Sequence, residues 1–304
     1  MATNPIDDLL YMLTYPSLTA NEQLALPALV AEPKVMQRKF HDSTHQLWHC
    51  ETKDGAMVLK VCDHHSIAQS GFWQILNLLF EADFPNNLQQ ADKTYSYLAK
   101  KGTLRVPELI ASQANTFVMT RFLAGFDVNK SQASNQMVMQ LANHVSQLHG
   151  CQYTTWGHVQ KPALSALDWS SRLQQVLLTH QQKNAFAISA KHLNDIIDQA
   201  SMIKETTFVP IMLDLRWDQL RSLEQDHTLA LIDLDAFVIG PPSLELVLLE
   251  YVLTAQQFAL FKATYTEKND WPEYTQQKAC YQLLLFLMQV LGETKLSSWM
   301  NQLA

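Results

Sequence analysis

One stretch, residues 210–240, most constrains what this chain can fold into: it reads PIMLDLRWDQLRSLEQDHTLALIDLDAFVIG. Two short apolar runs within it each end in a carboxylate. Residues 211–213 lead into Asp214, and residues 229–232 lead into Asp233. An apolar run of this length that ends in an acid predicts a buried strand with a carboxylate at its end.

Between the two runs lie Gln219 and a polar turn at residues 224–227, which suits a hairpin connection. Two carboxylates at neighbouring strand ends, with an amide between them, suit phosphoryl transfer. One carboxylate can orient or deprotonate a hydroxyl, while the other, with a neutral oxygen ligand, can hold Mg²⁺ against phosphates. The alternative interpretation is a buried hairpin that has acids at its solvent end.

Composition limits the class of protein. The chain has 304 residues, of which 47% are hydrophobic and 17% charged, enough for one large domain or two lobes. A net charge of −7 gives no basic surface for nucleic acid. None of the four cysteines forms a C-x-x-C pair, which favours reduced thiols. The amino terminus lacks the pattern of a signal peptide, and the apolar stretches are too short to cross a bilayer. We therefore expect a cytoplasmic protein with no nucleic-acid or membrane partner; its oligomeric state is open.

The chain before residue 63 predicts a three-stranded antiparallel start. Its strands are expected at residues 35–40, 46–52 and 57–62, with a hairpin at Lys53-Asp54-Gly55. The third strand contains Lys60 between apolar neighbours. Such a lysine either protects an edge strand from aggregation or contacts nucleotide phosphates.

The remaining chain is mainly helical in pattern. A helix at residues 88–101 ends at Gly102, and a strand at residues 116–122 follows. Further helices are expected at residues 136–149, 169–179, 193–203, 246–253, 255–264 and 272–291.

The order of these features resembles the aminoglycoside phosphotransferase and choline kinase superfamily, small-molecule kinases of the protein-kinase-like fold. The family's catalytic segment reads His-Gly-Asp, four residues, Asn, a hairpin, then Ile-Asp. This chain keeps both aspartates but has Met212, Leu213 and Gln219 in place of the His, Gly and Asn.

The resemblance implies an α+β, bilobal fold with its ligand in the cleft between the lobes. Residues 1–33 would be an amino-terminal extension, residues 34–122 a small N-lobe with an antiparallel sheet, and residues 123–304 a larger, mainly helical C-lobe.

The resemblance also implies an ATP- and Mg²⁺-dependent kinase of a small-molecule hydroxyl, such as an amino sugar, a choline-like amine or a fructosamine. Asp214 would be the catalytic residue that orients and deprotonates the acceptor. Asp233 and Gln219 would hold Mg²⁺, and Lys60 would hold the phosphates. The further positions are Ser43 and Thr44 over the phosphates, Thr120, Arg121 and Phe122 at the hinge, Arg216 and Trp217 on the acceptor side, and Glu245 as a brace of the catalytic loop.

One departure affects Lys60. The family's helix carries a glutamate that pairs with the lysine, and this chain has Ala91 at that position. Gln90 or Asp92 would have to substitute, or the lysine would lack a partner from this helix. The departures keep a second function open: a degenerate kinase-like protein that binds nucleotide or a partner without catalysis.

Overall fold

The computed structural model describes residues 13–37, 43–181 and 190–301. The sequence predicts a strand at residues 35–40. In the described part of this range the strand is shorter than predicted, because β1 covers Lys34–Val35. Residues 38–42, which include the rest of that predicted strand, lie outside the described residues.

The described residues form an α+β fold, as the sequence predicts. The strands are β1 Lys34–Val35, β2 His45–Thr52, β3 Gly55–Cys62, β4 Leu109–Gln113, β5 Phe117–Arg121, β6 Gly125–Asp127, β7 Thr155–His158, β8 Leu164–Ser165, β9 Val209–Met212, β10 Leu220–Leu223, β11 Leu229–Leu231 and β12 Phe237–Gly240. The α-helices are α1 Ala20–Gln23, α2 His64–Gln69, α3 Gly71–Phe80, α4 Ala91–Lys101, α5 Asn135–His149, α6 Trp169–Gln181, α7 Ala190–Ala200, α8 Pro242–Val252, α9 Ala255–Tyr265, α10 Thr275–Met288 and α11 Leu296–Asn301.

The amino-terminal sheet is antiparallel and has the strand order β1-β2-β3-β5-β4. The β2–β3 hairpin turns at Gly55, whose φ of 105° suits a residue without Cβ. Lys60 lies on β3, between β2 and β5, so it is not an edge-strand lysine. Alternation along β3 buries Leu59 and Val61 on one face and places Val58 and Lys60 on the other, toward the interlobe cleft.

A small core lies under this sheet. Buried residues of the extension, Tyr15 and Leu18, pack with Met57, Leu59 and Met119. The described part of the extension is therefore a packing segment of the N-lobe.

A helical segment between β3 and α4 joins the two lobes. Ile75, Leu76, Leu79 and Phe80 on α3 are fully buried in the large core that the carboxy-terminal helices share. The helix contacts α6, α10 and β7. The predicted N-lobe, residues 34–122, thus includes a helix that packs into the C-lobe.

The catalytic segment is built differently from the prediction. The two apolar runs do not pair with each other: β9 pairs with β12, and β11 pairs with β10. The polar turn at residues 224–227 does connect a hairpin, formed by β10 and β11, and β6 completes that sheet. Asp214 and Asp233 therefore follow strands of two different sheets.

The helices predicted for the C-lobe are present, with shifted ends. Helix α5 packs closely against α9 and β9, and α10 packs against α8 and α7. Within the described ranges, no helix is long and apolar enough to span a bilayer.

Candidate active site

The cleft between the sheet and the helical lobe has a volume of about 510 Å³. It brings together residues that are far apart in sequence. Those predicted from the sequence are Ser43, Thr44, Lys60, Thr120, Arg121, Phe122, Asp214, Arg216, Gln219 and Asp233.

Asp214 lies two residues beyond β9, with its side chain 23% exposed. Gln219 Nε2 donates to its Oδ2 at 2.9 Å, and Arg216 Nε lies 3.1 Å from its Oδ1. Burial raises the pKa of Asp214 to about 7, against the opposing effect of the Arg216 charge. A carboxylate with this pKa can accept a proton near neutral pH.

Glu245 holds the strand that leads to Asp214. Its Oε1 accepts the backbone N–H of Met212 at 2.6 Å. Its Oε2 lies 2.9 Å from Nε2 of His149, whose Nδ1 lies 3.0 Å from the hydroxyl of Tyr265. All four groups are buried, so this network fixes β9 against α5, α8 and α9. This is the geometry of the brace predicted for Glu245, and it uses His149 as well.

Lys60 reaches across the cleft to two carboxylates. Its Nζ lies 2.7 Å from Asp233 Oδ1 and 2.6 Å from Asp235 Oδ2. Burial alone would lower the pKa of Lys60, but the two carboxylates outweigh burial and raise it. At Asp233, burial acts to raise the pKa of the carboxyl, and Lys60 acts to lower it. The effect of the lysine prevails, so the pKa of Asp233 is lowered. Burial prevails at Asp235 and raises its pKa.

Asp235 is a site residue that the sequence analysis missed. Its signal was present in Ile232-Asp233-Leu234-Asp235, where strand-like alternation turns both acids to one side. The family resemblance implies a partner for the lysine on the helix instead.

Helix α4 supplies no carboxylate to Lys60 among the described residues. Asp92 is exposed, and Gln90 accepts from Lys93 at 3.1 Å. Neither substitution that the sequence left open is present. The Ala91 side of the helix borders a cavity of about 20 Å³, which Tyr95 and Asp235 also line.

The predicted phosphate loop lies at the cleft and is tied to both lobes. Trp73 Nε1 on α3 donates to Thr44 Oγ1 at 2.9 Å. Ser43 Oγ donates to the carbonyl of His45 at 3.1 Å. The position of this turn thus depends on the helix that packs into the C-lobe.

The predicted hinge, Thr120 to Phe122, lines the opposite end of the cleft. The N–H of Arg121 donates to the carbonyl of Glu108, and that of Phe122 donates to the carbonyl of Ala56, both at 2.9 Å. These two N–H groups are used within the lobe. An adenine base at this position would have to hydrogen-bond to the backbone carbonyl groups of these residues or to the next residue.

The two acceptor-side candidates separate in the structure. Arg216 lines the cleft, and its NH1 donates to the carbonyl of Val290 at 3.1 Å. Trp217 is 5% exposed and packs in the large core, so its assignment to the acceptor side is wrong. In the short 3-10 turn at residues 217–219, the indole of Trp217 lies on the core side, whereas Asp218 and Gln219 line the cleft.

Two oxygen donors at the cleft fit Mg²⁺. Asp233 is 29% exposed, and Gln219 uses its amide nitrogen on Asp214, which leaves the amide oxygen for a cation. No cluster of three or more His, Cys, Asp or Glu side chains in the described ranges could hold a metal alone. That is compatible with Mg²⁺, which takes one or two carboxylates and completes its shell with phosphate and water.

The two lobes and the cleft between them have the fold of the small-molecule phosphotransferases, a protein-kinase-like fold. A macrolide 2'-phosphotransferase from Brachybacterium faecium matches with a TM-score of 0.56 and 14% identity, over 88% of this chain and 92% of that chain. A putative fructosamine-3-kinase from Haemophilus somnus matches with a TM-score of 0.56 and 15% identity, over 90% and 91%. A choline kinase from Cryptosporidium parvum matches with a TM-score of 0.53 and 13% identity, over 89% and 86%.

No family model and no curated protein sequence matches this chain. What the structural matches show is the fold. The resemblance seen in the sequence is confirmed at that level.

Proposed function

We propose that this protein is an ATP- and Mg²⁺-dependent phosphotransferase that acts on a hydroxyl of a small molecule, such as an amino sugar, a choline-like amine or a fructosamine. The observation that carries the proposal is the arrangement at Asp214. This partly buried carboxylate is held by Arg216 and Gln219 and opens on the same cleft as Lys60 and Asp233.

Asp214 is the group that receives the acceptor's proton. Arg216 holds one of its oxygens and Gln219 the other, which leaves the carboxylate fixed in one orientation. Fixed orientation matters because phosphoryl transfer depends mainly on positioning and on electrostatic stabilisation. The guanidinium of Arg216 also places a positive charge beside the acceptor.

The nucleotide occupies the cleft from the hinge to Lys60. Backbone groups of Thr120, Arg121 and Phe122 border the adenine end, and the Ser43-Thr44 turn covers the phosphate end. Lys60 supplies the positive charge for the phosphates.

Asp233 and Gln219 hold the metal through a carboxylate and an amide oxygen. The ion, when bound, neutralises phosphate charge and fixes the phosphates for in-line transfer.

A second candidate is a kinase-like protein that binds nucleotide without catalysis. One observation favours it: Lys60 and Asp233 bond each other at 2.7 Å, so each proposed ligand group is neutralised by the other. A resting enzyme that opens this pair on binding its nucleotide would show the same contact.

The test is phosphate transfer from ATP in the presence of Mg²⁺ to a panel of hydroxyl compounds, with wild-type protein and Asp214→Asn. Loss of a general base lowers kcat by about 10²–10⁴-fold. ATP affinity should stay at the wild-type value, because Asp214 faces the acceptor. Asp226→Asn, in the exposed β10–β11 turn, is the matched control.

Full activity in Asp214→Asn would refute the catalytic assignment. ATP binding without transfer to any compound in the panel, by a protein whose Asp214→Asn variant behaves identically, would favour the second candidate.

A further inference from the structure

The ammonium of Lys60 is shared between two carboxylates that lie in different surroundings. Asp233 is 29% exposed and lines the cleft. Asp235 is 4% exposed and lines the small cavity next to α4 instead. The lysine therefore has one partner on the ligand side and another behind it.

The other ionisable groups that face Asp235 carry no charge. His45 Nε2 lies 3.9 Å from Asp235 Oδ2, but burial holds the pKa of this histidine well below its ordinary value. Burial raises the pKa of Tyr95 well above its ordinary value and that of Cys62 to about 12. Among the ion pairs of the described residues, Lys60 is then the one permanent cation for two carboxylates.

The helix that would be expected to anchor the lysine has no acid on this side. Ala91 and Tyr95 occupy the face that borders Asp235, and both are buried. A buried lysine without a fixed partner would be costly and poorly oriented. In the structure, the buried carboxylate that pairs with Lys60 comes instead from the loop between β11 and β12.

We propose that Asp235 is the positioning residue of Lys60 and replaces the carboxylate that α4 lacks, while Asp233 is the exchangeable partner that turns to the metal. The role in nucleotide binding rests on the proposed function; the anchoring of Lys60 does not. Asp235 and Lys60 both lie outside α4, so no residue of that helix takes part in the contact that holds the lysine.

The direct test is the reactivity of Lys60 in the protein without nucleotide. Trace acetylation with acetic anhydride at pH 9, read by peptide mass spectrometry, reports how much of each amine is deprotonated. Exposed Lys101 of the same molecule is the internal reference. One pKa unit changes the reactive fraction about tenfold. We expect Asp235→Asn to raise the relative rate at Lys60 by at least about tenfold, since the permanent partner is lost. Asp226→Asn should leave the rate unchanged.

A rate at Lys60 within about twofold of wild type in folded Asp235→Asn would overturn the proposal, because so small a change corresponds to well under one pKa unit. If Asp235→Asn does not fold, Lys60→Met is added to it. The proposal requires the double variant to fold, since the fault would be a lysine that has lost its buried carboxylate partner. An unfolded double variant, with Lys60→Met alone folded, would equally overturn it.

A kinetic measurement separates this inference from the proposed function. In an active enzyme, Asp235→Asn should lower kcat/KM for ATP and leave the Mg²⁺ concentration needed for half-maximal rate unchanged. Asp233→Asn should raise that Mg²⁺ concentration. The acetylation result needs neither nucleotide nor acceptor, so an absence of kinase activity would refute the function and leave the anchor intact. An Asp235→Asn enzyme with wild-type kcat/KM would refute the anchor's role alone.

Discussion

At the scale of single residues, the chemistry of the cleft depends on how Arg216 acts on Asp214. Burial is the larger effect and raises the pKa of the carboxyl, while the guanidinium at 3.1 Å opposes it. A group with a raised pKa binds its proton more tightly in the folded protein than in a peptide. The base is then active above its pKa and lost as the pH falls through it.

The first prediction concerns the pH profile. We expect kcat/KM for the acceptor to fall as the pH is lowered through about 7, the pKa of Asp214. Arg216→Gln should move this acid limb of the pH profile to higher pH, because it removes the positive charge that favours the ionised carboxylate of Asp214. Arg105→Gln, which removes an exposed arginine paired with Asp226, is the matched control and should leave the limb in place. A limb that stays fixed in Arg216→Gln would contradict the proposed role.

Individual residues of the site were predictable where the signal was local. Asp214 and Asp233 each follow an apolar run, Gln219 lies between the two runs, and Lys60 interrupts an apolar strand. Asp235 was missed because its role depends on a contact that is distant in sequence. Its Oδ2 lies 2.6 Å from Nζ of Lys60, which is 175 positions earlier in the chain. Trp217 was misplaced because neighbouring positions of one short turn differ only in the side they face.

At the scale of elements, α3 connects the sheet to the helical lobe. The helix follows β3 and the short helix α2 in sequence, yet its apolar face lies in the core of the other lobe. It also carries Trp73, whose Nε1 donates to Thr44 Oγ1 in the turn predicted to cover phosphates. Packing of α3 thus positions the Ser43-Thr44 end of the cleft.

The second prediction compares two adjacent leucines of α3. Leu79 is fully buried, whereas Leu78 is 41% exposed. Leu79→Ala should lower the free energy of unfolding by about 2–5 kcal/mol, because it leaves a cavity in a packed core. Leu78→Ala, the same change on the exposed face, should cost less than about 1 kcal/mol. Urea unfolding measures both, and equal losses would contradict the packing described.

The third prediction concerns the brace of β9. Glu245→Ala leaves the buried N–H of Met212 without its acceptor, which costs about 1–3 kcal/mol. Glu245→Gln keeps an acceptor for that N–H and should cost less. The exposed Glu267 provides the control, Glu267→Ala. Thermal unfolding of the three variants checks the order, and an equal loss for alanine and glutamine would show that the N–H bond is not the stabilising contact.

The pairing of the strands was the weakest part of the sequence prediction. Several elements were predicted, including α5 and the β2–β3 hairpin, but the helices α2 and α3 were not. The partner of β9 was predicted wrongly, because chain neighbours were assumed to be sheet neighbours. The actual partner, β12, is the third strand after β9, and that pairing is set by long-range burial that periodicity does not report.

At the scale of the whole molecule, the site exists only where the lobes meet. The sheet contributes Lys60, the helical lobe contributes Asp214, and the β11–β12 loop contributes Asp233. The order of motifs was enough to predict this bilobal architecture, since each motif belongs to one wall of the cleft. The identity of an acceptor was not predictable, because the cleft is also lined by residues of α3 and the end of α10, which the motifs do not include.

The central claim is that the cleft binds a nucleotide with Mg²⁺ through Asp233. The most direct measurement is isothermal calorimetry of ATP with and without Mg²⁺, on wild-type protein, Asp233→Asn and Asp214→Asn. A ligand at 100 times its Kd stabilises the folded protein by about 2.7 kcal/mol, so a thermal shift provides an independent readout. We predict Mg²⁺-dependent binding to wild type and to Asp214→Asn, and loss of the Mg²⁺ dependence in Asp233→Asn. Absence of ATP binding to wild type, or the same Mg²⁺ dependence in Asp233→Asn, would contradict this account.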